Sequence, residues 1–285
     1  MIMLKIGLST CGGKQFAGRS FLDECKKSNI DTLELSINHR EFDAFDIDAF
    51  YADAKECGVP INSFHLPFMP FKSVDPSAVD EELRISTVDM MKSLIEKISL
   101  LGTHIFIIHP SAEHFPPEER SDRIEQSKKS LRELADFADK FNSVIAVEDL
   151  PRTCLGNCTA EIAELITADD RLRVCFDTNH LLTEGYEKFV AEVGEKIITT
   201  HISDYDFIDE KHWLPGEGML DWQGLYKALA GVGYQGPWLY EVSFGSSRKI
   251  ERERDLNCRD FYINATEIFD DRPLTVIPHS FPISE

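Results

Sequence analysis

The sequence predicts an α/β protein of one domain, a closed (β/α)8 or TIM barrel over residues 1–271 with an extended C-terminal tail over 272–285. Three observations carry this expectation. Short apolar, β-branched runs alternate with helical patterns eight times along 285 residues, a length at which an α/β barrel stays a single domain. The runs are nearly continuous in apolar residues, as in parallel strands buried on both faces. Most of them also end in a ligand-type residue: 60–64 in His65, 105–108 in His109, 144–147 in Glu148, 172–176 in Asp177, 197–200 in His201 and 237–240 in Glu241. Only a closed ring brings that many strand ends to one point.

Taken in order, residues 4–9 alternate weakly as strand one, and 21–29 form a short amphipathic helix. Strand two, 31–36, carries Glu34 near its end. Residues 47–57 are helical in period, with Gly58 as the C-cap and Pro60 as the stop. Strand three, 60–65, ends in His65, and the proline- and aromatic-rich stretch from Pro67 to Pro76 is placed to cover a site. A long helix, 79–101, closed by Gly102, leads to strand four, 104–109. Pro116, Pro117, Glu118 and Glu119 open the next helix, which runs to about residue 141, with prolines and acids where a first turn favours them. Strand five ends at Glu148, and Pro151 stops it. Thr159 is the expected N-cap of a helix over 159–167. Strand six ends at Asp177, a helix covers 186–193, and strand seven ends at His201. The polar loop 203–219 contains Pro215-Gly216-Glu217-Gly218. Asp221 caps a helix to about residue 230, strand eight ends at Glu241, and the last helix covers 255–269. The proline-bearing tail is expected to run extended over the surface.

The formal charge of −20 repels phosphodiester backbones and anionic lipid, so neither nucleic acid nor membrane is an expected partner. No run reaches the roughly 18 apolar residues of a membrane span. The first residues read as a strand and not as a secretory signal. Seven scattered cysteines fit a reduced, cytoplasmic protein. Cys154 and Cys158 lack the second ligand pair that a zinc knuckle needs.

Glu148, Asp177, His201 and Glu241 form a mixed nitrogen and oxygen set that suits one divalent ion, Mn2+, Mg2+, Co2+ or Zn2+. Taken singly, a strand-end His or Glu is more often a paired structural residue. Taken together, three buried carboxylates without a cation cost several kcal/mol in repulsion and desolvation. Arg152 after strand five, or the Ser246-Ser247-Arg248 segment after strand eight, could hold a phosphate or carboxylate. Trp213, with Pro67 to Pro76, is expected to line or cover the substrate.

Five stretches, Glu148-Asp149-Leu150, Phe176-Asp177-Thr178-Asn179-His180, His201-Ile202-Ser203-Asp204, Pro215 to Trp222 and Tyr240-Glu241-Val242-Ser243, resemble the xylose isomerase-like TIM-barrel superfamily. That group includes ketose 3-epimerases, hydroxypyruvate isomerase, inosose dehydratase and the endonuclease IV type of DNA repair enzyme. The likeness covers residues 4–269 in the right order. It implies that Glu148, Asp177, His201 and Glu241 are metal ligands, that His180 binds a substrate oxygen, and that His212 is a further site residue. His65 and His109 match positions that carry additional zinc in the endonuclease branch; here substrate contact is expected of them. Glu210 stands where that branch has Asp, which argues against a third zinc site.

The expected function is that of a sugar, polyol or hydroxy-keto isomerase or epimerase. Protons move through a metal-bound enediolate, with Glu148 and Glu241 as the acid/base pair. A dehydratase of the inosose type would use the same parts. The rival class is a multi-zinc phosphodiester hydrolase resembling endonuclease IV, disfavoured by the charge, by the few basic residues in the strand-end loops and by Glu210. The expected partner is a small sugar or polyol, and a homo-oligomer is compatible with the sequence.

Overall fold

The computed structural model describes residues 3–11, 14–246, 250–275 and 281–282. Strands and helices alternate as β1 (Ile6–Ser9), α1 (Arg19–Lys27), β2 (Thr32–Leu35), α2 (Ile47–Cys57), β3 (Ile61–His65), α3 (Glu81–Leu100), β4 (Ile105–Ile108) and α4 (Arg120–Ala138). They continue as β5 (Val144–Glu148), α5 (Thr159–Leu165), β6 (Arg173–Asp177), α6 (Tyr186–Val193), β7 (Ile197–His201), α7 (Trp222–Gly231), β8 (Trp238–Tyr240) and α8 (Cys258–Phe269). The eight strands form one sheet in the order β7-β6-β5-β4-β3-β2-β1-β8, with parallel neighbours. The seam between its ends is joined by a parallel bridge of Ile202 to Tyr240, where the Ile202 N–H donates to the Leu239 carbonyl at 2.8 Å. The Glu241 N–H donates to the Ile202 carbonyl at 3.1 Å. The chain is a TIM barrel, as its pattern predicts.

Two register shifts prepare the top of the barrel. Between β2 and β3 the pairing jumps from Leu33–Ile61 to Glu34–Ser63. Between β6 and β7 it jumps from Val174–Ile197 to Cys175–Thr199, which leaves Asp177 beside His201. Such bulges re-aim side chains next to functional sites. Below them Ile107, Ala146 and Cys175 plug the interior, so the barrel is a packed core and not a pore.

Local chemistry explains the boundaries. Gly58 closes α2 in the left-handed region at φ 69°, where a side chain would strain the turn. Asp80 caps α3 by accepting from the N–H groups of Glu82 and Leu83, so that helix begins two residues after the expected position 79. Asn257 and Asp260 form a reciprocal capping box, which starts α8 at Cys258 and not at 255. The expected cap Thr159 is corrected: it is the first helical residue, and the Glu184 carboxylate accepts from both its N–H and its hydroxyl. In the tail, Phe281–Pro282 pairs antiparallel with Ile250–Glu251. Ser247 and Arg248, named above as an anion hook, and tail residues 276–280 and 283–285 lie outside the described residues. No helix among the described residues is long and apolar enough to cross a membrane.

Candidate active site

The C-terminal ends of β2, β3, β5, β6 and β7 each deliver one buried polar side chain to a single point, namely Glu34, His65, Glu148, Asp177 and His201. His109 and Glu241 stand one residue past the ends of β4 and β8. His201 sits at the centre. Its Nδ1 lies 3.0 Å from Oε1 of Glu148, 3.2 Å from Oε2 of Glu241 and 3.8 Å from Oδ2 of Asp177. Its Nε2 lies 2.9 Å from Oε1 of Glu34. The other oxygen of Glu148 meets Nε2 of His65 at 3.1 Å and Nε2 of His109 at 3.2 Å.

The charge balance around this point is strained in a specific way. Burial pushes the Asp177 carboxyl well above its ordinary range, and the neighbouring carboxylates of Glu241 and Glu148 push it further. Burial also opposes ionisation of Glu148, but His201 and His109 outweigh it and hold that carboxyl well below the usual value. His201 is the reverse: burial disfavours its cation, yet the surrounding anionic groups, Glu34, Glu241 and Glu148 among them, raise it well above an ordinary imidazole.

A divalent cation fits this donor set. Ligand atoms of Glu148, Asp177, His201 and Glu241 all lie within 4.8 Å of one another. Opposite ligands on an ion with bonds of 2.0–2.2 Å stand about 4 Å apart. The Oδ2 atom of Asp177 is buried and has no hydrogen-bond partner, a costly state unless a cation faces it. His65, His109 and Glu148 form a second group with the same close spacing, so Glu148 is common to both.

The remaining site residues ring this centre. His180 donates Nδ1–H to the Asp149 carbonyl at 2.7 Å, and His65 donates to that of Leu66 at 2.9 Å. Each contact fixes a tautomer and turns Nε2 the other way. His212 places Nδ1 3.1 Å from the Glu241 carbonyl and Nε2 2.7 Å from Glu210. Arg152 is engaged by Glu113, by Asp209 at 2.8 Å and by Glu210 at 3.0 Å. Those carboxylates come from distant parts of the chain, so the sequence reading of Arg152 as an anion hook could not anticipate them. Trp213 lines neither of the two cavities at this mouth; it is 7% exposed, and its backbone pairs with Asp204 across an isolated bridge. His212, one residue earlier, lines both cavities.

One cavity of about 330 Å³ holds Glu148, Glu241, His180 and His109 in its wall. A second of about 650 Å³ adjoins it and reaches Cys11 and His39, residues that the sequence reading did not single out. His65, Phe68, Met69, His212 and Glu241 belong to both. Phe68 lies over His109, with ring centroids 4.1 Å apart and planes 21° apart, so the aromatic loop covers the centre. The loop after β7 is ordered by Asp204, whose carboxylate accepts from the N–H groups of Gly216 and Gly218 and from the Trp222 indole. A Cβ at Gly218 would stand 2.3 Å from that carboxylate, which accounts for the second glycine of Gly216-Glu217-Gly218.

A family model described as xylose isomerase-like TIM barrel matches residues 22–257. The chain is 26% identical over 179 residues to an uncharacterised protein of Methanocaldococcus jannaschii, covering 59% of this chain and 60% of that protein's length. It is 24% identical to a probable endonuclease 4 of Thermoplasma acidophilum, covering 70% and 73% of the two chains. It is 22% identical to a fructoselysine 3-epimerase of Shigella flexneri, covering 82% and 88%. The crystal structure of a D-allulose 3-epimerase from Methylomonas sp. in complex with D-allulose superposes with a TM-score of 0.76 at 20% identity, covering 95% and 98%. At that identity the likeness bears on the fold alone.

Proposed function

Since this chain belongs to the xylose isomerase-like TIM-barrel family, we propose that it is a divalent-metal-dependent isomerase or epimerase of a sugar, polyol or related hydroxy-keto compound. The observation that carries this reading is the approach of two carboxylates, from β5 and from the end of β8, to one imidazole nitrogen. Glu148 and Glu241 stand 3.0 and 3.2 Å from Nδ1 of His201. A divalent ion held by Glu148, Asp177, His201 and Glu241 would supply Lewis-acid polarisation of a substrate oxygen and so acidify the C–H beside a carbonyl.

The chain's own residues supply the rest. Glu148 belongs to the ligand set, and a cation there would favour its charged form, so it serves as a proton acceptor at near-neutral pH. Glu241 reaches the same space from another strand and returns the proton at a second position. Together they interconvert a hydroxy-ketone through its enediolate, with no net redox change. His180, locked by the Asp149 carbonyl, presents Nε2 to a substrate oxygen. Phe68 and Met69 exclude water, which would otherwise protonate an enediolate without stereocontrol. The three carboxylates on Arg152 support a substrate without a phosphate at that end. The seven free cysteines fit action in the cytoplasm.

Incubation with ketoses, hydroxy-keto acids and inositol-type compounds in deuterated water with Mn2+ tests this. Deuterium at one carbon of one compound class is expected, and loss of water from an inosose would assign the dehydratase variant. A second reading has a specific observation behind it: His65 and His109 share Glu148 in a second ligand group, as a phosphodiester hydrolase with several zinc ions requires. Two or three tight zinc ions per chain together with cleavage of abasic DNA would replace the first reading with this one.

A further inference from the structure

We infer that Glu34 is the positioning residue of the metal centre: it accepts the Nε2–H of His201 and so selects the tautomer whose Nδ1 lone pair faces Glu148 and Glu241. The inference rests on the four-ligand reading and adds a member that touches none of the other ligands at hydrogen-bond distance.

Glu34 and His201 are both fully buried, 0% exposed. Oε1 of Glu34 lies 2.9 Å from Nε2 of His201, and Oε2 accepts from the Ser63 hydroxyl at 2.8 Å. The Ser63 contact exists because the register between β2 and β3 shifts by one residue just before Glu34. Without that shift Ser63 would not stand opposite Glu34. Both carboxylate oxygens are thus committed, and the group cannot turn. A carboxylate only accepts, so the imidazole is the donor in this contact. An imidazole that ligates a metal is neutral and carries one N–H; with that N–H donated at Nε2 to Glu34, the lone pair offered to an ion is at Nδ1, on the side where Glu148, Glu241 and Asp177 converge. With the tautomers exchanged, an Nε2 lone pair would face a carboxylate in the sealed interior, and an N–H would occupy the ion's position. An outer carboxylate that orients a ligating histidine typically contributes 10–100-fold in metal affinity.

The test is Co2+ binding to the full chain, followed by visible absorption and chelator competition, in Glu34→Gln, Glu34→Leu and Ser63→Ala. Gln keeps the shape and one acceptor but loses the charge, so its affinity falls about tenfold. Leu leaves Nε2–H unpaired, so affinity falls about 100-fold and the Co2+ spectrum changes. Ser63→Ala frees the carboxylate to swing, so affinity falls a few-fold, between parent and Gln. If Leu does not fold, the other two carry the test. A merely structural Glu34 would lower the thermal midpoint of the metal-free variants and leave the Co2+ affinity of the folded protein unchanged. That result, within twofold of parent for all that fold, overturns the inference. Asp177→Ala in parallel separates the two claims. If it loses Co2+ while the Glu34 variants bind normally, only Glu34 is misassigned; if it too binds as the parent does, the four-ligand reading falls, and this inference with it.

Discussion

Glu217 and Arg252 face each other as a sealed bidentate pair, Nε to Oε1 at 2.9 Å and Nη2 to Oε2 at 2.6 Å, with both side chains at 0% exposure. Arg252 also donates to the Ser243 carbonyl at 2.6 Å, two residues past Glu241. Glu217 accepts from the Leu214 N–H at 2.7 Å, two residues past His212. The pair therefore clamps the loop after β7 to the segment after β8, and both carry site residues. Removing one partner of a buried pair leaves an uncompensated charge and costs about 3–5 kcal/mol. Arg252→Met should lower unfolding stability by that amount in urea titration. The double change with Glu217→Gln should recover part of it, because no lone charge remains. A single variant within 1 kcal/mol of parent would show that the clamp is not a stabilising element.

Phe68 holds the cover over His65 and His109. An aromatic contact of this kind contributes about 1 kcal/mol, so Phe68→Ala should raise KM by about 5–10-fold while the fold persists. Trp213→Ala should act differently. Its indole is buried outside the two cavities, so the expected effect is a loss of about 3–5 kcal/mol in stability with little change in KM. Equal KM effects in the two variants would remove the distinction between cover and support.

Most of the barrel was legible because strand ends announce themselves: an apolar run broken by His, Asp or Glu at His65, Asp177 or Glu148 is visible in a single line of text. Glu34 was visible in the same way, but its partner His201 is far along the chain, and the register shift that presents Ser63 leaves no mark in composition. The cap of α5 was misread for a related reason, since the acceptor is Glu184 and not the helix's own first residue. Arg152 reads as a free cation until the fold gathers Glu113, Asp209 and Glu210 around it. Long-range carboxylate contacts of this sort depend on which loops meet at the barrel mouth, and periodicity is silent about that.

Acid should expose the Glu210 contact. Burial raises this carboxyl, but the hydrogen bond from His212 and the charges of His180, His212 and Arg152 outweigh it and hold it well below the ordinary value. A depressed folded value adds stability that is complete above the unfolded value of about 4.3 and is lost as the pH falls through the folded one. The thermal midpoint of metal-free protein should therefore fall less steeply below about pH 4 in Glu210→Gln than in parent. Parallel acid limbs would contradict the assignment.

The metal centre makes a separate claim. Asp177→Ala removes the carboxylate whose Oδ2 lacks a partner, so it should abolish tight binding of one divalent ion and leave the circular dichroism spectrum unchanged. The parent should gain stability on Mn2+ addition, about 2.7 kcal/mol at 100 times Kd, and the variant should gain none. A parent-like response in Asp177→Ala would place the ion elsewhere.

The two-carboxylate mechanism is tested most directly by turnover and solvent exchange in Glu148→Gln and Glu241→Gln, each assayed in deuterated water with bound metal verified. Gln keeps the shape and one ligand oxygen but cannot take a proton. Each variant should lose about 10² or more in turnover. The variant lacking only the returning group should still exchange the substrate C–H with deuterium from the other side, without net conversion. Conversion at near-parental rates by both variants, with metal fully bound, would contradict the account.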